Sequence, residues 1–381
     1  MPGEMHKKMG LVSYNSLPEW QKVWWNFSLD DTTGIYNKKF KSKEKKISQY
    51  CLIVDDLWNK WKKKEYKKYL LFKEKSIPHG PVDRNFNQVW VTKEEHNQYN
   101  FFLVLKYYTE RFIEALKNED FDISVVFAGI LAHIIQDSCW PSHSISNTKF
   151  YEFYPCSSRI PHFHTIIDEV NVSPEKCKPI LLGVSVEEIA FRLWAMVENH
   201  ILWCKNNLFK ILDAAYKGKD KLLGKLMQPS CDKAVEIVSS LWYSSICVAT
   251  GKYKEDEKEN LKEISLTKLI PYFSHPGGKY PFIIKNHSVV DGKFKPLYIK
   301  ENGKIKKVKQ GLGLTSFVSA KYLIESSVFK RFKCKVGFSP VFKDEQNKNT
   351  KVKFIIETDK EINEEYVSDL NYRNTKKVYE T

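Results

Sequence analysis

The sequence predicts a mainly α-helical domain followed by a smaller β-rich domain, and three observations lead to this prediction. Between residues 94 and 250, long segments repeat apolar residues at helical spacing. After Pro271, turn signals such as HPGG, DGK and ENGK separate short alternating segments. The 381 residues, 42% of them hydrophobic and 14% aromatic, are enough for two globular cores. We therefore predict a helical domain at 1–255, a linker at 256–275 and a β-rich, β-sandwich-like module at 276–381.

Four long segments of the first domain are predicted to be helices. Glu94–Asn118 carries aromatic and aliphatic residues at helical spacing, and Val186–Ala215 and Cys231–Thr250 are amphipathic. Asp120–Ser138 is more apolar, and its run FAGILAHII is typical of a central helix buried on most sides. The charged segment 252–262 fits either a linker or a solvated helix.

The β-rich module contains alternating segments at Phe329–Phe338 and Val352–Thr358. The chain ends on a further strand-like segment, Lys376–Glu380. We therefore expect the module to be truncated, with its last strands missing from this sequence.

The positive net charge of the chain favours anionic partners. The net charge is +15, and much of the excess lies in the lysine-rich runs 38–46 and 60–68. A positive surface attracts nucleic acid, phospholipid headgroups or acidic polymers, although a solvated lysine-rich surface is the simpler interpretation of each run.

The first ten residues lack the apolar stretch of a signal peptide, and no run of 18 apolar residues predicts a membrane span. Localisation therefore stays open.

The eight cysteines argue against a thiolate metal site, because no Cys-x2-Cys pair occurs among them. Cys204 and Cys247 lie in apolar helical patterns and are predicted to be buried thiols. The even count and uninformative spacing leave disulfides open.

Histidine and aspartate residues form the strongest functional signal. In AHIIQDSCWPSHS, His133 and Asp137 are four residues apart on a predicted helix, and Pro141 ends that helix so that His143 can turn back towards them. A second such pair, His164 and Asp168, follows. These residue types are zinc ligands, and a buried ionisable pair needs a partner such as a metal. A buried, hydrogen-bonded pair is the alternative for each, and His162 competes with His164.

The array H-x3-D-x5-H followed by H-x3-D resembles the trinuclear-zinc phosphodiesterase superfamily, which contains the bacterial zinc-dependent phospholipases C and the single-strand-specific zinc nucleases. The resemblance covers about residues 5–250. HKKMGLVSYNSLPEWQ resembles the first family helix, which implies His6 as a ligand. YCLIVDDLW resembles the aspartate-bearing segment and implies Asp55, with Asp56 as the alternative, and IPHGP resembles the loop that donates another histidine, His79.

The resemblance implies two or three Zn²⁺ ions. The first would be held by Asp55, His79, His133 and Asp137. Asp137 would bridge to a second, completed by His6 and the chain's own N-terminal amine and carbonyl. The third would be held by His143, His164 and Asp168. Family members begin, after signal cleavage and export, with a Trp whose amine binds zinc, whereas this chain begins MPGEMH; full trinuclear occupancy is therefore open.

The implied activity is phosphodiester hydrolysis by metal-bound hydroxide, with Asp55 orienting the nucleophile or acting as a base. A phospholipase C-like enzyme is favoured, which would contact a membrane peripherally. A single-strand-specific nuclease comes second, and the aromatic run FYEFY at 150–154 suits a base or a lipid headgroup. A hypothesis of another class is a non-catalytic binding protein with structural metals.

The end of the chain carries a second resemblance. KQGLGLTSFVSAKYLIE followed by FKRFKCKVGF is similar to a carbohydrate-binding β-sandwich module appended to bacterial enzymes. The resemblance implies a glycan partner, and a purely structural β-domain fits the sequence equally well.

Overall fold

The computed structural model describes residues 3–57, 64–69, 97–144, 167, 170–271, 273–276, 283–290, 293–301, 304–314, 318–336, 352–357, 362–367 and 375–380. The chain divides into two compact units, Met1–Lys262 and Glu263–Thr381. The first is rich in helices and the second contains short antiparallel strands, as the predicted order of a mainly α part and a smaller β part requires. The predicted linker, 256–275, is shared between the two units.

The helical unit contains α-helices of very different lengths. In chain order they are α1 Gly3–Ser16, α2 Glu19–Trp24, α3 Lys43–Tyr50, α4 Ile53–Asp56, α5 Asn97–Lys117, α6 Phe121–Ser138, α7 Val186–Tyr216, α8 Asp220–Thr250 and α9 Glu255–Glu259. Short 3-10 turns occur at Lys64–Tyr69, Pro141–His143 and Leu266–Lys268. The four long predicted helices are confirmed, although α8 begins eleven residues before the predicted start at Cys231. The charged segment after α8 contains a short helix with no buried residue.

Local sequence sets several helix ends. The Ser42 side chain accepts a hydrogen bond from the Lys45 amide and begins α3, and Ser185 does the same for the Glu188 amide in α7. Helix α8 ends at Gly251, whose φ of 68° lies in the left-handed region that glycine adopts at little cost. Residues next to each helix end therefore determine where these helices begin and end, whereas the apolar faces determine how they pack.

Helix α6 lies at the centre of the helical unit. Every side chain from Ser124 to Ser138 is buried, and the helix packs against α1, α3, α4, α5 and α8. By length and composition α6 could cross a membrane, with a mean hydropathy of 1.3, but 83% of it is buried in the fold. Core helices of soluble proteins have the same length and composition, and its burial makes α6 the core helix that the sequence predicts.

Two glycines allow the chain between α3 and α4 to approach this core closely. A side chain at Gly129 of α6 would overlap the backbone carbonyl of Tyr50, and one at Gly10 of α1 would overlap the Cys51 thiol. Both helices therefore press on the same short segment. This contact brings Cys51 and Asp55 to the part of α6 that carries the predicted metal ligands.

One lysine of the basic run 38–46 departs from the solvated surface that its sequence suggests. The Lys46 side chain is fully buried, and its ammonium donates to the carbonyls of Ser28 and Asp30 and to the Asp122 carboxylate, at 2.7–2.9 Å. The expectation of a solvated lysine is wrong at this position. A buried ammonium needs several acceptors, and the loop before α3 and the first turn of α6 supply them.

The second unit is built from short antiparallel pairs. Its strands are β1 Phe273–Pro276, β2 Ile283–Lys285, β3 His287–Val290, β4 Lys293–Pro296, β5 Tyr298–Glu301, β6 Lys304–Lys307, β7 Leu312–Leu314, β8 Val318–Lys321, β9 Arg331–Val336, β10 Val352–Glu357, β11 Ile362–Val367 and β12 Thr375–Glu380. The pairs are β1–β8, β2–β7, β3–β4, β5–β6, β9–β12 and β10–β11. Strands therefore form at the three predicted segments, within two residues of the predicted bounds.

The two units differ in how much they bury. Among the residues after Leu269 whose side chains the structure describes, none of the hydrophobic ones is buried. In the helical unit, by contrast, Cys204 and Cys247 are fully buried as predicted. The seven cysteines that the structure describes across both units are free thiols. The β-sandwich arrangement of the second unit stays a prediction.

Candidate metal centre

The C-terminal half of α6 presents three polar side chains on one face. His133, Gln136 and Asp137 are separated by three and four residues, so they share a face of the helix. All three are at least 99% buried in an otherwise apolar helix. A cluster of this kind requires partners from neighbouring elements.

Helix α6 ends at Ser138, and the following 3-10 turn, Pro141–His143, reverses the chain. This turn returns His143 to the helix end, with its Nε2 atom 3.5 Å from Asp137 Oδ1. The His143 side chain keeps 16% of its surface exposed, so the centre reaches solvent on this side. The end of the helix before Pro141 therefore allows His143 to lie beside Asp137, as the sequence predicts.

Helix α1 supplies the next histidine. His6 is fully buried, and its Nε2 atom lies 3.2 Å from Asp137 Oδ1. His133 Nε2 lies at the same distance from the other oxygen, Asp137 Oδ2. The His6 and His133 rings are stacked with centroids 4.1 Å apart and planes 9° from parallel. The two imidazoles therefore approach the two oxygens of one carboxylate side by side.

The α4 segment brings one of its two aspartates to this group. Asp55 Oδ1 lies 3.7 Å from His133 Nε2, and its side chain is 41% exposed. Asp56 instead accepts hydrogen bonds from Tyr36 and Gln49, both at 2.8 Å. Asp55 is thus the carboxylate of this segment that faces the centre, at its solvent-facing rim.

Hydrogen bonds behind the rings fix their protonation pattern. The Cys51 carbonyl can only accept, so His133 Nδ1, 2.8 Å away, carries the hydrogen of that bond. Gln136 Nε2 faces the His6 carbonyl at 3.5 Å, which turns Gln136 Oε1 towards His6 Nδ1 at 2.7 Å. Both rings therefore donate through Nδ1, and in the neutral rings both Nε2 lone pairs point at Asp137.

The electrostatics of the pocket favour a neutral His6 beside an ionised Asp137. Burial, together with the neighbouring His133, lowers the pKa of His6. Burial acts to raise the pKa of Asp137, but the surrounding histidines, led by His143 and His133, outweigh it and hold the pKa well below its usual range. The Nε2 atoms of two imidazoles and an ionised carboxylate thus converge in a buried pocket, where a cation could balance the negative charge.

His6, His133 and Asp137 form a group that could hold a metal ion, with their donor atoms all within 4.8 Å of one another. Imidazole nitrogen and carboxylate oxygen are the ligand types that zinc takes, and the Nδ1 hydrogen bonds to a carbonyl and an amide are the support that metal-bound histidines usually have. The residues therefore fit a divalent cation on their own chemistry.

Five of the sequence-predicted ligands thus meet at this centre: His6, His133 and His143 lie beside Asp137, and Asp55 lies beside His133. The resemblance groups His143 with His164 and Asp168, whereas here its Nε2 atom faces Asp137. His79, His164 and Asp168 lie outside the described residues, as do the first two residues of the chain and the aromatic run 150–154.

Sequence reasoning missed the residues behind the ligands. Gln136 and the Cys51 carbonyl orient the two rings, and neither was among the predicted site residues. Gln136 had a signal in the sequence, since it is a long polar side chain on the ligand face of an apolar helix. The Cys51 carbonyl had none, because any residue could supply a backbone oxygen there.

Comparison of the chain with protein-family models, with curated proteins and with solved structures gave no match.

Proposed function

We propose that the chain is a zinc-dependent phosphodiester hydrolase of the phospholipase C type. The observation that carries the proposal is the position of Asp137, whose two oxygens face the Nε2 atoms of two parallel histidine rings. A single ion could sit in this group, but the split between the oxygens suits two. Ions in two-metal phosphodiesterases lie about 3.5–4 Å apart, which is close to the spacing of the stacked rings.

Each half of the centre has its own ligands. Asp137 Oδ1 lies beside His6 and His143, and Asp137 Oδ2 lies beside His133, with Asp55 on the same side. The Asp137 carboxylate, with histidines on both sides, would provide the negative charge that two cations need. Zinc in such a site supplies a nucleophile near neutral pH and neutralises charge on the phosphoryl group.

The chain's own residues would divide the remaining work. Asp55 is exposed at the rim and close to His133, so it can orient a water molecule or take its proton. His143, also partly exposed, borders the opening on the other side of Asp137. Gln136 and the Cys51 carbonyl would keep the two buried rings in their donor orientation.

The metal chemistry indicates the class of substrate, and the resemblance indicates which member of that class is favoured. A zinc pair acts on phosphodiesters in general, and the resemblance to the zinc phospholipases C favours a phospholipid over a nucleic acid. The basic surface, with a net charge of +15, suits either anionic substrate.

The decisive experiment combines metal content with a substrate screen. The chain is stripped with a chelator, reloaded with zinc and measured for bound metal by mass spectrometry. Hydrolysis of a phosphatidylcholine analogue is then compared with that of single-stranded DNA. We expect at least two zinc ions per chain and faster hydrolysis of the lipid analogue. Faster cleavage of DNA would instead identify a nuclease.

Two variants separate catalysis from metal binding. Asp55→Asn should retain zinc, because the buried group of His6, His133 and Asp137 is unchanged, and it should lose hydrolysis, because the base is removed. His200→Gln is the matched control, since His200 is buried elsewhere, bonded to the Cys139 carbonyl and Ser230. Fewer than two zinc ions together with no hydrolysis of any phosphodiester would overturn the proposal and favour a binding protein with a structural metal.

A further inference from the structure

The first two hairpins of the second unit are unusually basic. Residues 283–314 contain two acidic residues, Asp291 and Glu301, and no arginine. The same stretch contains eight lysines: Lys285, Lys293, Lys295, Lys300, Lys304, Lys306, Lys307 and Lys309. We call the hairpins β3–β4 and β5–β6 the lysine hairpins. Their composition makes this part of the unit strongly attractive to anions.

Each lysine hairpin also exposes a large apolar side chain between lysines. Phe294 lies between Lys293 and Lys295 in β4 and is 70% exposed. Ile305 lies between Lys304 and Lys306 in β6 and is 62% exposed. The strand pairings are regular, with Phe294 opposite Val289 and Ile305 opposite Lys300.

Both faces of β4 and β6 are open to solvent at the residues around Phe294 and Ile305, whereas Ser288 of β3 is buried. Successive side chains of a strand point to opposite faces, and residues 293–295 and 304–307 are all exposed. If β4 or β6 packed on a core with one face, every second side chain of that strand would be buried instead. The exposed Phe294 and Ile305 side chains are therefore available to a partner.

We propose that the lysine hairpins dock the chain on an anionic phospholipid bilayer. Phe294 and Ile305 enter the acyl boundary, and the flanking lysines reach the headgroups. Apolar insertion together with lysine attraction to anionic lipid is the pattern of peripheral membrane binding. This surface lies in the second unit and is independent of the metal centre.

Other occupants fit the same residues less well. Nucleic-acid recognition favours arginine for phosphate and base contacts and aromatic rings for stacking, and an isoleucine cannot stack. Glycan binding needs hydrogen-bonding groups beside an aromatic platform, whereas these strands offer ammonium groups and aliphatic carbon. A second copy of the chain would bring two surfaces of the same positive charge together.

The test uses the full chain and vesicles of phosphatidylcholine with or without phosphatidylserine. It is run with a chelator present so that no zinc-dependent hydrolysis occurs. Sedimentation should be much stronger with phosphatidylserine and should weaken as salt rises. The variant Phe294→Ser/Ile305→Ser should bind the anionic vesicles roughly tenfold more weakly or worse.

Matched controls separate this surface from general effects. Ile355→Ser removes another exposed aliphatic side chain of the same unit, 55% exposed on β10, and should bind like the parent chain. Lys293→Glu/Lys295→Glu should lose roughly tenfold or more in affinity, since each lysine contributes about 1 kcal/mol at an anionic surface. Lys221→Glu/Lys225→Glu makes the same change in net charge on α8 and should lose much less.

Three results would overturn the proposal: equal binding of the hairpin and control variants, equal binding to vesicles without phosphatidylserine, or retention of single-stranded DNA or heparin with the same dependence on Phe294 and Ile305. Because binding is measured without hydrolysis, its failure is distinct from failure of the zinc enzyme hypothesis.

Discussion

In the helical unit the Asp137 side chain is 1% exposed and lies beside three imidazoles, whereas in the second unit Phe294 is 70% exposed between two lysines. The first arrangement buries charge and must therefore provide partners for it at defined distances. The second leaves both charge and apolar surface to the solvent. A buried polar group such as that around Asp137 selects its ligand by the fixed distances between its atoms. An exposed basic and apolar surface such as that around Phe294 attracts any surface of opposite charge.

The largest expected effect is at Asp137. Asp137→Ala removes the carboxylate that both rings approach, so we expect the zinc content to fall below one ion per chain. Hydrolysis should fall at least a hundredfold, beyond the loss seen for residues behind the ligands. Metal analysis and single-substrate kinetics measure both. Hydrolysis that survives with no bound zinc would show that the buried group is structural.

Glu198 of α7 tests what burial of an unmatched charge costs. Burial raises the pKa of Glu198 to about 7, and its Oε1 atom makes no hydrogen bond within the part of the chain that the structure describes. The folded state therefore binds the proton more tightly than the unfolded state, and stability falls as pH rises from about 4.5 to about 7. Glu198→Gln should remove up to about 3 kcal/mol of this decline.

Urea titrations followed by tryptophan fluorescence measure the Glu198 effect. All ten tryptophans lie before residue 243, so the signal reports on the helical unit. Glu259→Gln, an exposed control on α9, should keep the slope of the parent chain. Equal slopes for Glu198→Gln and the parent chain would contradict the assigned pKa.

Gly129 tests the close approach that forms the centre. Gly129→Ala should lower the free energy of unfolding by about 1–3 kcal/mol, because its methyl group meets the Tyr50 carbonyl. Gly224→Ala on α8 is the matched control, because its added methyl group meets only the Asn171 carbonyl, at 3.4 Å. It should be neutral or stabilising by up to about 1 kcal/mol. If Gly129→Ala lowers the free energy of unfolding no more than Gly224→Ala does, α6 has room to move away from the Tyr50 carbonyl.

Gln136 tests the support behind the ligands. Gln136→Leu removes the acceptor of the His6 Nδ1 hydrogen bond, so the zinc ion that His6 would hold should bind roughly 10–100-fold more weakly. Gln136→Glu keeps an acceptor at that place and should restore most of the affinity. Competition with a chromogenic chelator gives both affinities, and a leucine variant that binds zinc like the parent would remove Gln136 from the positioning role.

The smallest effect belongs to the exposed surface. Phe294→Ser should change the free energy of unfolding of either unit by less than about 0.5 kcal/mol, because the side chain has little packing to lose. Far-UV circular dichroism during thermal unfolding checks this. A larger loss would show that Phe294 packs against the module, which contradicts its role as a free docking residue.

Prediction from the sequence succeeded where local pattern decides the structure. The apolar run around Gly129 predicted a buried central helix, and Pro141 predicted the helix stop before His143. The centre itself needed long-range information. The ring orientations depend on Gln136 and on the Cys51 carbonyl, which α1, α3 and α6 bring together. The burial of Lys46 likewise depends on distant acceptors, which are two loop carbonyls and the Asp122 carboxylate of α6.

Lys46 has a practical consequence for chemistry at the surface. Its ammonium is enclosed by two carbonyls and the Asp122 carboxylate, while its neighbours Lys41 and Lys45 remain in water. Amine-reactive labels and cross-linkers should therefore modify the neighbours and leave Lys46 intact until the chain unfolds. The mass of the peptide that contains Lys46 would then show whether the core around Lys46 is still folded.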